Sequence, residues 1–533
     1  MTNRVARLAG VALVAVAAVL FAADRWATTP RNVIAGPYAR LLAAAADLGP
    51  ARSGRVQLTA TLREPSDPAR LADWARGKGL SVRWQTGADW AVVEGAPASF
   101  ADAFGVSVRD YRIRGGPDVG RVFYASPQQP VVPPVLRTEV TGLGRVLGYL
   151  PHRTVLPPTP PLDVPGGGLL PHQLLNAYNI RPLADAGYTG KGITVVVWGF
   201  DGFDQRDLDM FSDVFDVPAF VPEVMGDLPA QRGVESTMDL QVIHAVAPDA
   251  KLVLVNSRPT VEGAGGFEKL GELMRSVDSR YPGAIWSLSI GWGCDRLFTA
   301  ADLAPVRAAL VAAVRNGTTA FDASGDIAGL DCKGGHSWSD PPSPDDVGLD
   351  AVASIPEMTS VGGTRLSTGP DGEWVAEQAW YDVPLTQGSG GGASTLYERP
   401  AWQTVDPEAG PTDRRLVPDI AAVGDPFTGV KFIYGQQILV GGGTSQSAPI
   451  WAGIAAIVNQ TFAAAGAAPL GELNPVLYQV ARSSALPGFR DVRYGGNAVT
   501  PSGRKGYDTV TGLGSPNVDN LVKAILLARS GNA

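Results

Sequence analysis

Cysteine and histidine are both scarce in this chain. Of 533 residues, two are cysteine (Cys294 and Cys332) and four are histidine (His152, His172, His244 and His336). One intrachain disulfide is therefore the maximum, and neither cysteine lies in a CxxC pattern, so a thiolate zinc site or a dithiol redox motif is excluded. Charge is also sparse, at 18% of residues, and it carries no basic excess. A formal net charge of −8 argues against nucleic acid or an acidic lipid surface as partner. The chain has no GxxxxGK[ST] phosphate loop, internal repeat or long low-complexity tract.

What is present is a globular composition, 45% hydrophobic, with 64 glycines and 43 prolines that suit a loop-rich extracellular protein. The length predicts two domains. Residues 1–30 begin with Arg4 and Arg7 ahead of an apolar run from Leu8 to Ala23. This is an export segment, either a signal peptide or an uncleaved membrane anchor, and it places the bulk of the chain at the cell surface or beyond it. Residues 50–150 then read as a small module. "RVQLTATL", "LSVRWQ" and "WAVVEG" are strands, "DPARLADWARGKG" and "APASFADAFG" are helices, and "VSVRDYRIR" is a last strand. That β-α-β-β-α-β order predicts a ferredoxin-like α+β fold. Residues 151–171 hold too much proline and glycine for a helix or a central strand and read as a linker, the expected processing site. Residues 172–533 alternate apolar runs (192–200, 250–257, 284–291 and 318–326) with helical stretches. They predict an α/β doubly wound parallel sheet whose ligands gather at the C-terminal strand ends.

The stretch "GGGTSQSAP" places Ser445 at the start of an apolar helix. Glycines there let the backbone approach a ligand, and unpaired amides with the positive dipole end would favour an oxyanion. Serine is also an ordinary helix cap, and both readings stand until a base is found. None of the four histidines has a persuasive context. His152 is in the linker, His172 precedes the domain's first helix, His336 lies in a glycine-rich loop, and His244 reads as a satisfied helix residue. Carboxylates do better. Glu235 and Asp239 in "GVESTMD" are four apart on one helix face, where like charges favour a shared or retained proton. Acids so spaced are also common on solvated faces. Asp326, in "FDASGD", stands at the C-terminal edge of a buried strand, as a site residue or a turn former.

The motifs "GVESTMD", "FDASGD" and "GGGTSQSAP", in this order and spacing, resemble the sedolisin (serine-carboxyl) peptidases, a subtilisin-like fold in which Glu replaces His. "LLPHQLLNAYNI", "TGKGITVVV", "GSGGGASTLYERPAWQ" and "VPDIAAVGDP" also look like family blocks, so the resemblance covers nearly everything after the leader. It implies that Ser445 is the nucleophile, Glu235 its general base, Asp239 the residue orienting Glu235, and Asp326 an oxyanion donor. It implies further that the 50–150 module is an activation propeptide, acting as intramolecular inhibitor or chaperone, that polypeptides are the substrates, and that the enzyme is a monomer. "SLSIGWGCD" departs from the family pattern at Ile290 and at Cys294–Asp295, so side-chain preference at the cleft does not carry over.

"FRDVRYGGNAVTPSGRKGYDTVTGLGSP" brackets a glycine-rich loop with Asp491 and Asp508. Such acids usually make turns, but the stretch resembles the sedolisin calcium loop. It implies Ca2+ held by Asp491 and Asp508 carboxylates and by the carbonyls of Val492, Arg504 and Gly506, with Arg504 where glycine is more usual. Cys294 and Cys332 both follow strand ends on one edge of the sheet, and in an oxidising compartment they are expected to pair. The rival readings are a subtilisin-type hydrolase using a histidine, His244 foremost, and a surface binding protein that kept the fold without the activity.

Overall fold

The computed structural model describes residues 32–52, 54–116, 118–152, 167–333, 342–382, 387–483 and 485–529. The export segment, residues 153–166 of the expected linker, and His336 lie outside them. Among the described residues no helix is long and apolar enough to cross a membrane.

The large C-terminal part is built on an eight-stranded sheet. Its strands run in the order Trp374–Ala379, Thr359–Thr368, Thr319–Ala323, Ile285–Leu288, Thr194–Gly199, Lys251–Asn256 and Glu223–Met225, and Ile420–Val423 lies beside the Thr359–Thr368 strand. Every pairing is parallel except that of Trp374–Ala379. The four expected strands are all present, trimmed at both ends. They are continuous apolar runs because both faces are covered. Val195, Val197, Leu252, Leu254 and Phe321 join the core with the helices Val234–Val246 and Thr444–Ala464. Their neighbours Val196, Trp198, Val253, Val255 and Trp286 join the opposite core with the helices Gly266–Arg280 and Ala304–Arg315. Period-2 alternation therefore feeds two apolar layers rather than one apolar and one polar face. Strand order reverses between Thr194–Gly199 and Ile285–Leu288, and a crevice opens at such a point beyond the strands' C-terminal ends.

The N-terminal part holds an antiparallel sheet in the order Leu80–Trp84, Trp90–Gly95, Val56–Leu62 and Val140–Leu143, with the helices Ala69–Gly77 and Pro97–Phe104. The expected last strand does form, at Arg109–Arg112, but it pairs with Ala46–Pro50 and Val122–Ala125 in a separate three-stranded sheet. The fourth strand of the first sheet is Val140–Leu143, which sequence reading did not pick out. Contacts with the large part are polar and apolar together. Arg83 pairs with Glu268 at 2.5 Å and Arg40 with Asp346 at 2.8 Å, while Tyr38, Leu42, Phe123 and Leu150 enter the core of the Gly266–Arg280 side. The expected linker ends in packed chain. Leu169 donates its N–H to Gly429, accepts from Lys431 and is buried.

Cys294 and Cys332 form a disulfide closing a separation of 38 residues, with Cα atoms 4.9 Å apart. In the chain-entropy account a loop of this length stabilises by about 3–4 kcal/mol. Replacing both cysteines by alanine should lower the unfolding free energy by about that amount in a denaturant titration. Two free thiols in the denatured, unreduced parent would contradict the bridge.

Candidate active site

Glu235 and Asp239 lie on the helix Val234–Val246, in which every residue from Glu235 to Val246 is buried. The helix packs against the sheet, the neighbouring Thr444–Ala464 helix and the strand Lys431–Tyr434, so its two acids are not on a solvated face. Glu235 is 5% exposed and Asp239 1%. Burial first, then the negative charges of Asp239, Asp201 and Asp326, raises the Glu235 carboxyl well above the usual carboxylate range. The Ser445 hydroxyl pulls it back by hydrogen bonding. That contact is not a fully aligned bond, and no well-formed hydrogen bond reaches either oxygen of Glu235 or of Asp239. Burial likewise raises Asp239, with the Asp201 charge adding to it and the Ser289 hydroxyl opposing it. Among the described residues, no cation is a leading influence on either acid.

Ser445 is the second residue of the Thr444–Ala464 helix and is buried. It is not the cap. Gly443 holds that position at φ 86°, a left-handed conformation that favours glycine, and no side chain of its own caps the helix. Asp326, three residues past the strand Thr319–Ala323, does the capping from outside: its Oδ1 accepts from the Thr444 N–H at 2.7 Å and from the Thr444 hydroxyl at 2.8 Å. A Cβ at position 443 would meet Asp326 Oδ2 at 2.7 Å, so glycine is also required for room.

Two residues that sequence reasoning missed complete the surroundings. Pro449, four residues after Ser445, has no N–H to give the Ser445 carbonyl, and the Ser289 hydroxyl donates to it instead at 3.1 Å. Ser289 thus touches the serine helix while lying against Asp239. Asp201, two residues past the strand Thr194–Gly199, accepts from the Ser236 N–H at 3.1 Å and from the Ser236 hydroxyl at 2.5 Å. The available signal was the one that marked Asp326, an acid at the C-terminal edge of an apolar strand.

The histidines stand elsewhere. His244 is nine residues beyond Glu235 on the same helix, roughly 13 Å along its axis. Its Nε2 faces the Pro218 carbonyl at 2.6 Å, its ring stacks on Phe220, and burial pushes it down to about 4. His152 packs edge-on against Phe200, and His172 sits in the first turn of the helix Pro171–Ala177.

Near the C-terminus, Asp491 Oδ1 accepts from the Gly506 N–H at 3.1 Å and Asp508 Oδ2 from the Arg504 N–H at 3.2 Å, so both carboxylates grip the same piece of backbone. The Val492 carbonyl faces Gly503 across this loop. The Arg504 guanidinium is turned onto Glu408 at 2.5 Å. Arg493 pairs with Asp491 Oδ2 at 2.7 Å, a cation where a metal's charge would otherwise sit. The donors are hard oxygens on irregular backbone, and the set fits calcium.

Folding favours the protonated forms of Asp201, Glu235 and Asp239, since each carboxyl is raised chiefly by burial. Their contribution to stability is therefore complete below the unfolded carboxyl pKa of about 4 and is lost as pH rises through the folded values. Glu235→Gln should raise the denaturation midpoint more at neutral pH than at pH ~4. Melts of both proteins across pH check this, and a difference that does not change with pH would contradict it.

No family model matches the chain. Kumamolisin of Bacillus sp. (strain MN-32) is 29% identical over 492 residues, covering 87% of this chain and 84% of that one. Tripeptidyl-peptidase 1 of Dictyostelium discoideum is 30% identical over 348 residues, 61% of this chain, and the match spans 53% of that protein. The structure of Pseudomonas sedolisin, a serine-carboxyl proteinase complexed with two molecules of pseudo-iodotyrostatin, covers 69% of this chain and 99% of its own. Its TM-score is 0.56 at 24% identity, a likeness in fold. These relatives and this subtilisin-like α/β sheet support a serine-type peptidase of the sedolisin (serine-carboxyl) family.

Proposed function

We propose that the chain is an exported serine-carboxyl endopeptidase, made as a zymogen and active in acid, with Ser445 as nucleophile. Glu235 takes the Ser445 proton as the hydroxyl oxygen attacks the scissile carbonyl, and returns it to the leaving amine as the acyl-enzyme forms. Water then repeats the sequence to release the acid product. Asp239, one turn along the helix, holds Glu235 in place and shares its proton. Asp326 in its protonated form donates to the oxyanion beside the serine helix N-terminus. The observation that carries this reading is the buried Glu235–Asp239 pair against Ser445, with His244 turned away onto Pro218. The same observation disfavours a histidine hydrolase, and the complete set of four residues disfavours a silent binding protein. The 50–150 module is the activation propeptide, and cleavage within 151–171 releases it.

Rising pH acts on two of these groups in opposite senses. It frees Glu235 to accept a proton and removes the proton that Asp326 donates. The second effect prevails, because loss of one oxyanion donor costs on the order of 10²–10³ in turnover. Activity of the mature enzyme on one peptide should fall from mild acid to neutral pH while circular dichroism shows an intact fold. Glu235→Ala should abolish it and His244→Ala should leave it. Full activity at neutral pH, insensitive to Glu235→Ala, would sink the carboxylate mechanism. Ser445→Ala precursor, free of other proteases, should stay full length.

Calcium bound by Asp491, Asp508 and the carbonyls of Val492, Arg504 and Gly506 would supply a cross-link between the two ends of the 491–508 loop. A chelator should lower the melting temperature of the parent, and Asp508→Asn should already melt low and respond no further. A parent indifferent to chelator would remove the metal from this reading.

A further inference from the structure

The helix that carries Glu235 begins with Gly233 as its N-cap, which has no side chain to satisfy the first amides. Asp201 supplies that acceptor from another part of the chain. Its segment is fastened beside the helix start by two backbone bonds, Gly202 N–H to Gln231 O at 2.8 Å and Gly233 N–H to Gly202 O at 2.9 Å. From there the carboxylate accepts the Ser236 N–H, the Ser236 hydroxyl and a further bond from the Glu235 backbone, and the Asp201 carbonyl takes a second contact from the Ser236 hydroxyl at 2.9 Å. The carboxylate fills the space above Gly233: a Cβ there would lie 1.5 Å from Asp201 Oδ2.

We propose that Asp201 is a positioning residue for the peptidase reaction, a cap from the sheet that fixes the first turn bearing Glu235 and places a further carboxylate beside the Glu235–Asp239 pair. This rests on the reading of Glu235 as general base. Burial raises the Asp201 carboxyl, but three donors and the positive end of a helix dipole offset part of that, so Asp201 is raised less than Glu235 and is the first of the two to ionise as pH rises. The titratable acids that face Glu235 are Asp239 on its own helix, Asp201 at the end of one strand and Asp326, neutral in the proposed working form, beyond another. Arg232, on the adjoining turn, gives its Nη1 to the Phe203 carbonyl at 2.5 Å, and among the described residues the leading influences on Asp201 are burial and hydrogen bonds rather than a cation. Asp201 therefore adds negative charge to a site that already holds a carboxyl pair, and Glu235 must wait for a higher pH before it ionises.

Asp201→Asn keeps an oxygen that can accept from Ser236 and removes the charge. The acid limb of the kcat/KM profile should then move to lower pH by about half to one unit, with maximal turnover nearly retained. A residue of merely structural worth would lower activity without moving that limb. The double variant Asp201→Gly with Gly233→Asp transposes the carboxylate to the N-cap residue, whose extended φ −135° and ψ 160° suit a capping Asp. It should stay active with the parental limb. Profiles of parent, both variants and Glu235→Ala, each checked for folding, decide the matter. An Asp201→Asn limb that coincides with the parent's, while Glu235→Ala is inactive, overturns this inference and leaves the base intact. Activity in Glu235→Ala removes the base itself. If Asp201→Asn does not fold, the transposed variant alone decides, and a folded but inactive transposed enzyme overturns the proposal.

Discussion

Two carboxyl groups four residues apart are enclosed in a helix whose residues from Glu235 onward are all buried, and among the described residues no cation is a leading influence on either. An ionised pair in such a place would cost several kcal/mol per charge, so the fold is consistent with at most part of that charge at any time. This constraint reaches outward. A basic partner would remove the proton-sharing character of the pair, and the surroundings supply hydroxyls instead, from Ser445 and Ser289. Hydroxyls can stabilise either protonation state without fixing one. The proposed base is thus kept in a condition where a proton can arrive and leave.

Enclosure of the pair in turn depends on the sheet. Val195 and Val197 face the layer that holds the Glu235 and Ser445 helices, while Val196 and Trp198 face the other. With both layers apolar, the site's polar groups are left to the ends of strands, where the alternation stops. Asp201, Ser289 and Asp326 all stand one to three residues beyond a strand's C-terminal end, two of them flanking the point where strand order reverses.

Strands buried on both faces were legible as apolar runs, because burial on both sides removes any polar alternation that could mislead. The carboxylate spacing and the glycine-rich serine motif were legible for a similar reason: each is local. What escaped was non-local. "VSVRDYRIR" does become a strand, yet nothing in its pattern says that its partners are Ala46–Pro50 and Val122–Ala125 rather than Val56–Leu62. The strand that does pair there, Val140–Leu143, is four residues long and contains a glycine. Whether Glu235 and Asp239 faced water could not be read either, since Ser236, Thr237 and Gln241 make the buried helix look as polar as an exposed one. Asp201 caps a helix more than thirty residues away, and no spacing rule connects them.

The two reactive side chains nonetheless share a single local design. Glu235 and Ser445 are each the second residue of a helix. Each helix starts with a glycine that offers no cap, and each receives one from an acid at the end of a sheet strand, Asp201 on Ser236 and Asp326 on Thr444. In both cases a side chain on the glycine would strike that acid. A self-capped helix would satisfy its own first amides and could shift with its own loop. Capping from the sheet instead ties the first turn of each helix to the rigid strands, so the distance between Glu235 and Ser445 is set by strand spacing rather than by two loops. It also brings two more acids to the pair, which raises the pH at which the site ionises. Position and acidity at this site therefore come from the same capping side chains.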